Sequence, residues 1–203
     1  MRRSELPAAF IAQLDALARS YLAASDPYLQ SGFGGGAARW RAEREPILEA
    51  LPEPSAELLD VGCANGLLLE SLVAWAAERG QRITPFGVDR SAGLVALARR
   101  RLPRFGSHFF VGEAWLWRPP RRFACVYALA DCVPADHVHA FLHHLLDHYV
   151  ESGGRLVVGA YGSRSRCVPP LDVAALLEAA GMAVTGAACG GEGPVTRFAW
   201  TGP

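Results

Sequence analysis

The sequence predicts an α/β domain built on a doubly wound, mostly parallel sheet of seven strands, and three observations carry that prediction. From residue 57 onward, short apolar runs alternate with amphipathic helical stretches, as in a parallel sheet covered on both faces. The first run passes through a tight turn of small residues directly into a helix. The last two runs are joined by Cys189, Gly190, Gly191, Glu192, Gly193 and Pro194, too few residues for a crossover helix, so they must form an antiparallel C-terminal hairpin.

Each element follows from periodicity and turn chemistry. Phe10, Leu14, Leu17 and Tyr21 recur at helical spacing, with Ile11 and Leu22 beside them, which predicts an amphipathic helix over about residues 5–24. A glycine-rich loop at 31–36 separates it from a second helix over 37–51, carrying Trp40, Ile47, Leu48 and Leu51 despite Pro46. Pro52 and Pro54 end this helical preface. Strands are expected at 57–62, 83–88, 108–111, 123–129 and 155–161, with helices at 66–79, 91–101 and 136–149 between them. A helix at 171–180, stopped by Gly181, leads into hairpin strands at 182–188 and 195–200. Residues 1–54 are therefore expected to form an N-terminal helical extension or lid of the same domain, and residues 55–203 its core.

A length of 203 residues accommodates one domain and leaves no room for a separate substrate domain. Hydrophobic residues at 51% and charged residues at 20% fit an ordinary globular core. Zero net charge argues against a nucleic-acid or anionic-membrane partner. All twenty basic residues are arginine, which excludes any mechanism needing a lysine amine. The five cysteines are odd in number and contain no Cys-x-x-Cys pair, so they are expected to be reduced thiols. Gln13, Asp15 and Arg19 interrupt the N-terminal apolar pattern, leaving neither a signal-peptide core nor a membrane span of about 20 residues. A cytoplasmic location is the expectation.

The chemistry concentrates at three strand ends. Leu58, Leu59, Asp60, Val61, Gly62, Cys63, Ala64, Asn65 and Gly66 run from an apolar strand through a small-residue turn into a helix, where a ligand can approach the main chain closely. The spacing of the dinucleotide-binding fingerprint fails, since its glycine positions hold Gly62, Ala64 and Leu67. Asp89 closes the second strand, where a carboxylate can accept hydrogen bonds from both hydroxyls of a ribose, and Arg90 follows it. After the third strand, Glu113, Ala114 and Trp115 place an acid and an aromatic ring where an adenine amine and ring face can be addressed.

With these residues the sequence resembles the class I S-adenosylmethionine-dependent methyltransferases over about residues 57–201. Asp60-x-Gly62-x-Ala64-x-Gly66 resembles that family's first motif, with Ala64 in place of its middle glycine. The resemblance implies a Rossmann-like fold and S-adenosylmethionine as cofactor, with S-adenosylhomocysteine as product. It implies that Asp60 and the backbone from Gly62 through Cys63 and Ala64 to Gly66 hold the methionine amine and carboxylate. Asp89 would hold the ribose hydroxyls, and Glu113 with the Ala114 amide would hold the adenine. It also places the reacting centre at the edge of the fourth strand, near Leu129.

That edge lacks the Asn/Asp-Pro-Pro-Tyr run of enzymes that methylate adenine amines, which argues against DNA base methylation. Asp131 and His137 are candidate bases, although Asp131 reads more readily as a loop or helix-capping aspartate. His139 and His143, like His144 and His148, stand four apart at a chelating spacing, but neither pair has an evident third ligand, and no metal is expected. Trp40, Tyr161 and Arg164 are candidates for the acceptor side, with Arg164 and Arg166 readable as carboxylate partners or as solvated loop charges. The expected function is methyl transfer to a small-molecule acceptor. An RNA or protein methyltransferase, suggested by the cluster from Arg99 to Arg122, and a non-catalytic adenosyl-binding protein are the alternatives. The sequence does not indicate an oligomeric state.

Overall fold

The computed structural model describes residues 6–163, 167–192 and 195–202. Among them, seven strands form one sheet: β1 (Ser55–Val61), β2 (Arg82–Asp89), β3 (Phe109–Val111), β4 (Phe123–Leu129), β5 (Val150–Tyr161), β6 (Val184–Gly190) and β7 (Thr196–Thr201). Their order is β3-β2-β1-β4-β5-β7-β6. The pairs β1–β2, β1–β4, β2–β3 and β4–β5 are parallel, while β7 runs antiparallel to both β5 and β6. The strand order reverses between β1 and β4, and at such a point an open α/β sheet leaves a crevice at its carboxyl edge.

The helices are α1 (Ala8–Ala23), α2 (Gly36–Arg44), α3 (Leu67–Glu78), α4 (Ala92–Arg101), α5 (Val138–His148) and α6 (Val173–Ala179). Alternation along β1 divides the core. Leu59 and Val61 join Val126, Phe141, Leu145 and Leu156 in one layer, and Leu58 joins Ile47, Leu69, Leu72 and Phe198 in the other. Each such side chain, fully buried, contributes about 1.5–3 kcal/mol relative to an exposed one.

Three boundaries differ from the sequence expectation for physical reasons. The expected helix over 37–51 divides, because Pro46 lacks an amide hydrogen and the chain tightens into a 3-10 turn over Glu45–Ala50. β5 starts at Val150 instead of 155, where Val150 pairs with Phe123 ahead of a register shift. The polar segment Glu151, Ser152, Gly153 and Gly154 hides this start, since it has no apolar alternation to read. Met182, expected to open a strand, instead lies buried at the end of α6, its amide donating to the Leu177 carbonyl.

Gly66 shows how closely the elements around the first turn approach. Its φ is +75°, and a Cβ there would stand 2.9 Å from the Ala98 Cβ and 3.1 Å from the Ala98 Cα. Gly66→Ala therefore combines left-handed strain with an overlap that α4 can relieve only by moving. The expected result is a loss of about 2–4 kcal/mol in urea unfolding, and an unchanged midpoint would contradict the packing described.

Candidate functional site

The carboxyl ends of β1, β2, β3 and β4 face a cavity of about 240 Å³. Four residues mark its floor in sheet order: Glu113 beyond β3, Asp89 at the end of β2, Gly62 beyond β1 and Asp131 beyond β4. The roof is α1 and the chain just ahead of it, through Leu6, Leu14, Leu17, Ala18 and Tyr21. An ion pair between Asp15 and Arg90 fastens that helix to the edge of β2.

The first turn is built for close approach. Gly62 has φ +87° and Gly66 +75°, and Ala64 also takes a left-handed φ of 45°. Alanine at such a conformation carries local strain of about 1 kcal/mol that glycine lacks. The turn's amides largely have partners inside the protein. Gly62 and Cys63 N–H donate to the Val88 carbonyl at 2.8 and 3.1 Å, and Gly66 N–H to the Cys63 carbonyl at 2.9 Å. Ala64 N–H donates to Asp89 Oδ2 at 3.0 Å, and Leu67 N–H to Asn65 Oδ1 at 3.1 Å. The expected cradle of free N–H groups is thus largely committed to bracing β1 against β2.

Asp60 lies behind this turn rather than in the cavity wall. It is 3% exposed, and its burial, with the Asp89 charge nearby, pushes its carboxyl up to about 8. Cys63 departs further from expectation: its thiol is buried against Gly87, where a Cβ would come within 2.7 Å of the sulfur, so only its backbone belongs to the turn.

Asp89 sits at the centre. Oδ2 accepts the Ala64 amide and Oδ1 the Ser91 amide at 2.8 Å, leaving further lone pairs on each oxygen. Burial raises its pKa, and these two hydrogen bonds work against that rise. Ala114 lines the cavity beside Glu113, whose Oε1 accepts the Trp115 amide at 3.0 Å. That turn carries Trp115 inward, 5% exposed, edge-on to His137 at 6.0 Å and His144 at 5.8 Å. Trp115 is therefore a core residue on α5, and Leu94 and Leu17 supply apolar wall instead.

The candidate acceptor-side residues divide. Leu129 and Asp131 line the cavity. Asp131 is exposed at the cavity mouth, and the protein packed around its carboxyl raises its pKa. His137 does not line it; the imidazole pairs with Asp136 and abuts Trp115. Trp40 and Tyr161 come together, but elsewhere. Both flank the Arg44 guanidinium, at 4.7 and 4.0 Å, with Trp40 Nε1 donating to Ser71 Oγ and the Tyr161 hydroxyl bonded to that of Tyr127 at 2.7 Å. Arg164 lies outside the described residues.

Two contributors escape the sequence reading. Tyr21, read as part of an apolar helix face, lines the cavity, and burial with the charges of Asp131 and Asp89 raises its pKa. Asn65 is wholly buried and joins the N-terminal segment to the first turn. Its Oδ1 accepts Ser31 Oγ–H at 2.6 Å and the Leu67 amide, and its Nδ2 donates to the Pro27 carbonyl at 2.9 Å. Asn65→Ala strands several buried partners at once. A loss of about 2–4 kcal/mol in thermal or urea unfolding is expected, and a variant as stable as the parent would refute the tether.

The sheet order with its antiparallel seventh strand is the fold of solved S-adenosylmethionine-dependent methyltransferases. The structure of DhpI in complex with SAM and HEP matches over 100% of both chains with a TM-score of 0.63 at 17% identity. A SAM-dependent methyltransferase from Aquifex aeolicus matches with a TM-score of 0.59 over 94% of this chain and 96% of that one, at 16% identity. In sequence, the trans-aconitate 2-methyltransferase of Rhodopseudomonas palustris (strain BisB5) is 34% identical over 124 residues, 59% of this chain and 44% of that protein. The chain thus spans less than half the length of that relative. No family model matches the chain.

Proposed function

We propose that the protein is an S-adenosylmethionine-dependent methyltransferase acting on a small-molecule acceptor. One observation carries the proposal: Glu113, Asp89 and the Gly62 turn stand at consecutive strand ends around a single cavity roofed by α1. The residues present fit the cofactor. Asp89 retains lone pairs for the ribose hydroxyls, and Glu113 and Ala114 stand where the adenine would lie. Gly62, whose added Cβ would meet only the Cys132 sulfur at 3.3 Å, lets a ligand reach the main chain. Asp60, behind the Gly62 turn and kept neutral by burial and by the Asp89 charge, gains a reason to ionise when an ammonium group arrives in front of that turn.

Bound there, S-adenosylmethionine supplies a methyl group on a positively charged sulfur that leaves with both electrons of its carbon–sulfur bond. The protein's share is position and exclusion of water. Leu6, Leu14 and Leu17 cover the cavity, and the Asp15–Arg90 ion pair holds them in place. Asp131, its pKa raised, is suited to take a proton onto a carboxylate oxygen from the acceptor.

The arginine cluster lends little support to an RNA substrate. Arg99 donates to the Phe109 carbonyl, Arg101 pairs with Glu70, and Arg121 pairs with Glu57. A cytoplasmic location is part of the same proposal, supported by five cysteines that form no disulfide. Among the described residues no helix is long and apolar enough to cross a membrane.

Incubation with methyl-labelled S-adenosylmethionine and an ultrafiltered small-molecule extract tests the acceptor class. Label should appear in a small-molecule product; label confined to RNA or protein would transfer the proposal to the macromolecular alternative.

A further inference from the structure

We propose that the half of the cavity on the β4 flank takes a neutral or cationic acceptor bearing an N–H or O–H group, gripped between the Tyr21 hydroxyl and the Asp131 carboxylate, and rejects acceptors presenting a carboxylate there. The inference rests on reading the β2–β3 flank as the S-adenosylmethionine site.

Sheet order separates the two flanks. Glu113 and Asp89 belong to β3 and β2, while Asp131 belongs to β4, across the Gly62 turn. Cys132 fixes that relation, its thiol bonded to the Val61 carbonyl at 3.6 Å and facing Gly62. Tyr21 reaches the cavity from α1, influenced by the Asp131 charge first and by that of Asp89 as well. Its phenol stays protonated, so it offers both a donor and a lone pair to the cavity that Asp131 also lines.

The described cations nearby are committed elsewhere. Arg90 is paired with Asp15. Arg44 is paired with Glu43 and enclosed by the rings of Phe33, Trp40 and Tyr161. Arg164 and Arg166 lie outside the described residues. A carboxylate brought to this flank would meet the like charge of Asp131 in a partly dehydrated space, with no described counter-charge. An amine or hydroxyl instead donates to Asp131 and accepts from Tyr21. An ammonium acceptor first gives an N–H proton to the Asp131 carboxylate; the freed lone pair bonds to the methyl carbon as the carbon–sulfur bond breaks onto sulfur, while a hydroxyl passes its O–H proton to Asp131 as its oxygen bonds to that carbon. The inferred preference parts from the trans-aconitate relative, whose acceptor bears carboxylates.

Two S-adenosyl analogues in which the methyl group is replaced by a short arm, ending in an amine or in a carboxylate, test this by calorimetry on the full chain. The adenosyl portion anchors either arm in the β4 flank. The amine arm should bind about tenfold more tightly than the carboxylate arm, and Asp131→Asn should bring the two close to parity while S-adenosylhomocysteine affinity holds. Equal affinities, or preference for the carboxylate arm, in the unaltered protein overturn the proposal, whether or not the variant folds. Failure of S-adenosylhomocysteine itself to bind is a different result: it removes the cofactor reading, and this inference falls with it.

Discussion

Asp89→Ala is expected to weaken S-adenosylhomocysteine binding by about 1–3 kcal/mol, roughly 5- to 150-fold, because in the proposed cofactor site it removes charge-assisted acceptors from both ribose hydroxyls. The same carboxylate holds the Ala64 and Ser91 amides, so the variant also loosens the first turn and the start of α4. Asp89→Asn separates the two contributions. It keeps an oxygen for one amide while losing the charge, and its affinity should fall between those of the parent and the alanine variant. Isothermal titration with unfolding curves on the same samples gives both numbers, and an unchanged affinity for Asp89→Ala in a folded protein would remove Asp89 from the cofactor site.

A second large effect concerns pH. The Asp60 carboxyl, raised from 3.8 to about 8 in the folded chain, keeps a proton that the unfolded chain has released above about pH 4. The folded state therefore binds more protons than the unfolded state between about pH 4 and 8, and stability falls as pH rises through that window. Asp89 and Asp131, raised by burial as well, act in the same direction. Without ligand, the urea midpoint should drop from about pH 5 to 8, with Asp60→Asn removing a few kcal/mol of that decline. An ammonium group arriving beside Asp60 reverses the penalty. S-adenosylhomocysteine binding should tighten with pH by up to about tenfold per unit below pH 8 and release a proton near neutrality, visible as a buffer-dependent binding enthalpy. Flat affinity and no proton release would show that Asp60 does not meet the ligand's charge.

Much of the fold was legible because its strands are buried on both faces. The run from Phe123 to Leu129 is apolar from end to end and marks β4 at both boundaries. The start of β5 was not, because residues 151–154 fall in the register shift between Val150 and Arg155 and carry no apolar pattern. Within the site, Asp89, Glu113 and the Gly62 turn were readable because each ends a strand, and the topology brings strand ends together without further information. Trp115 was misplaced for the complementary reason: adjacency to Glu113 says nothing about which way a turn points its side chains, and this one points into α5. Tyr21 and Asn65 were missed because their partners are remote in sequence, Asp131 for the first and Pro27 and Ser31 for the second. Trp40 and Tyr161 do meet, yet around Arg44, a buried cation whose need for ring faces and for Glu43 no local pattern announces.

The central claim is that the cavity under α1 binds S-adenosylmethionine and its product. Calorimetric titration of the full chain with S-adenosylhomocysteine at neutral pH tests it most directly. Saturable one-to-one binding that Asp89→Ala weakens is the predicted result; a folded protein that takes up no S-adenosylhomocysteine at any pH between about 6 and 8 would contradict it.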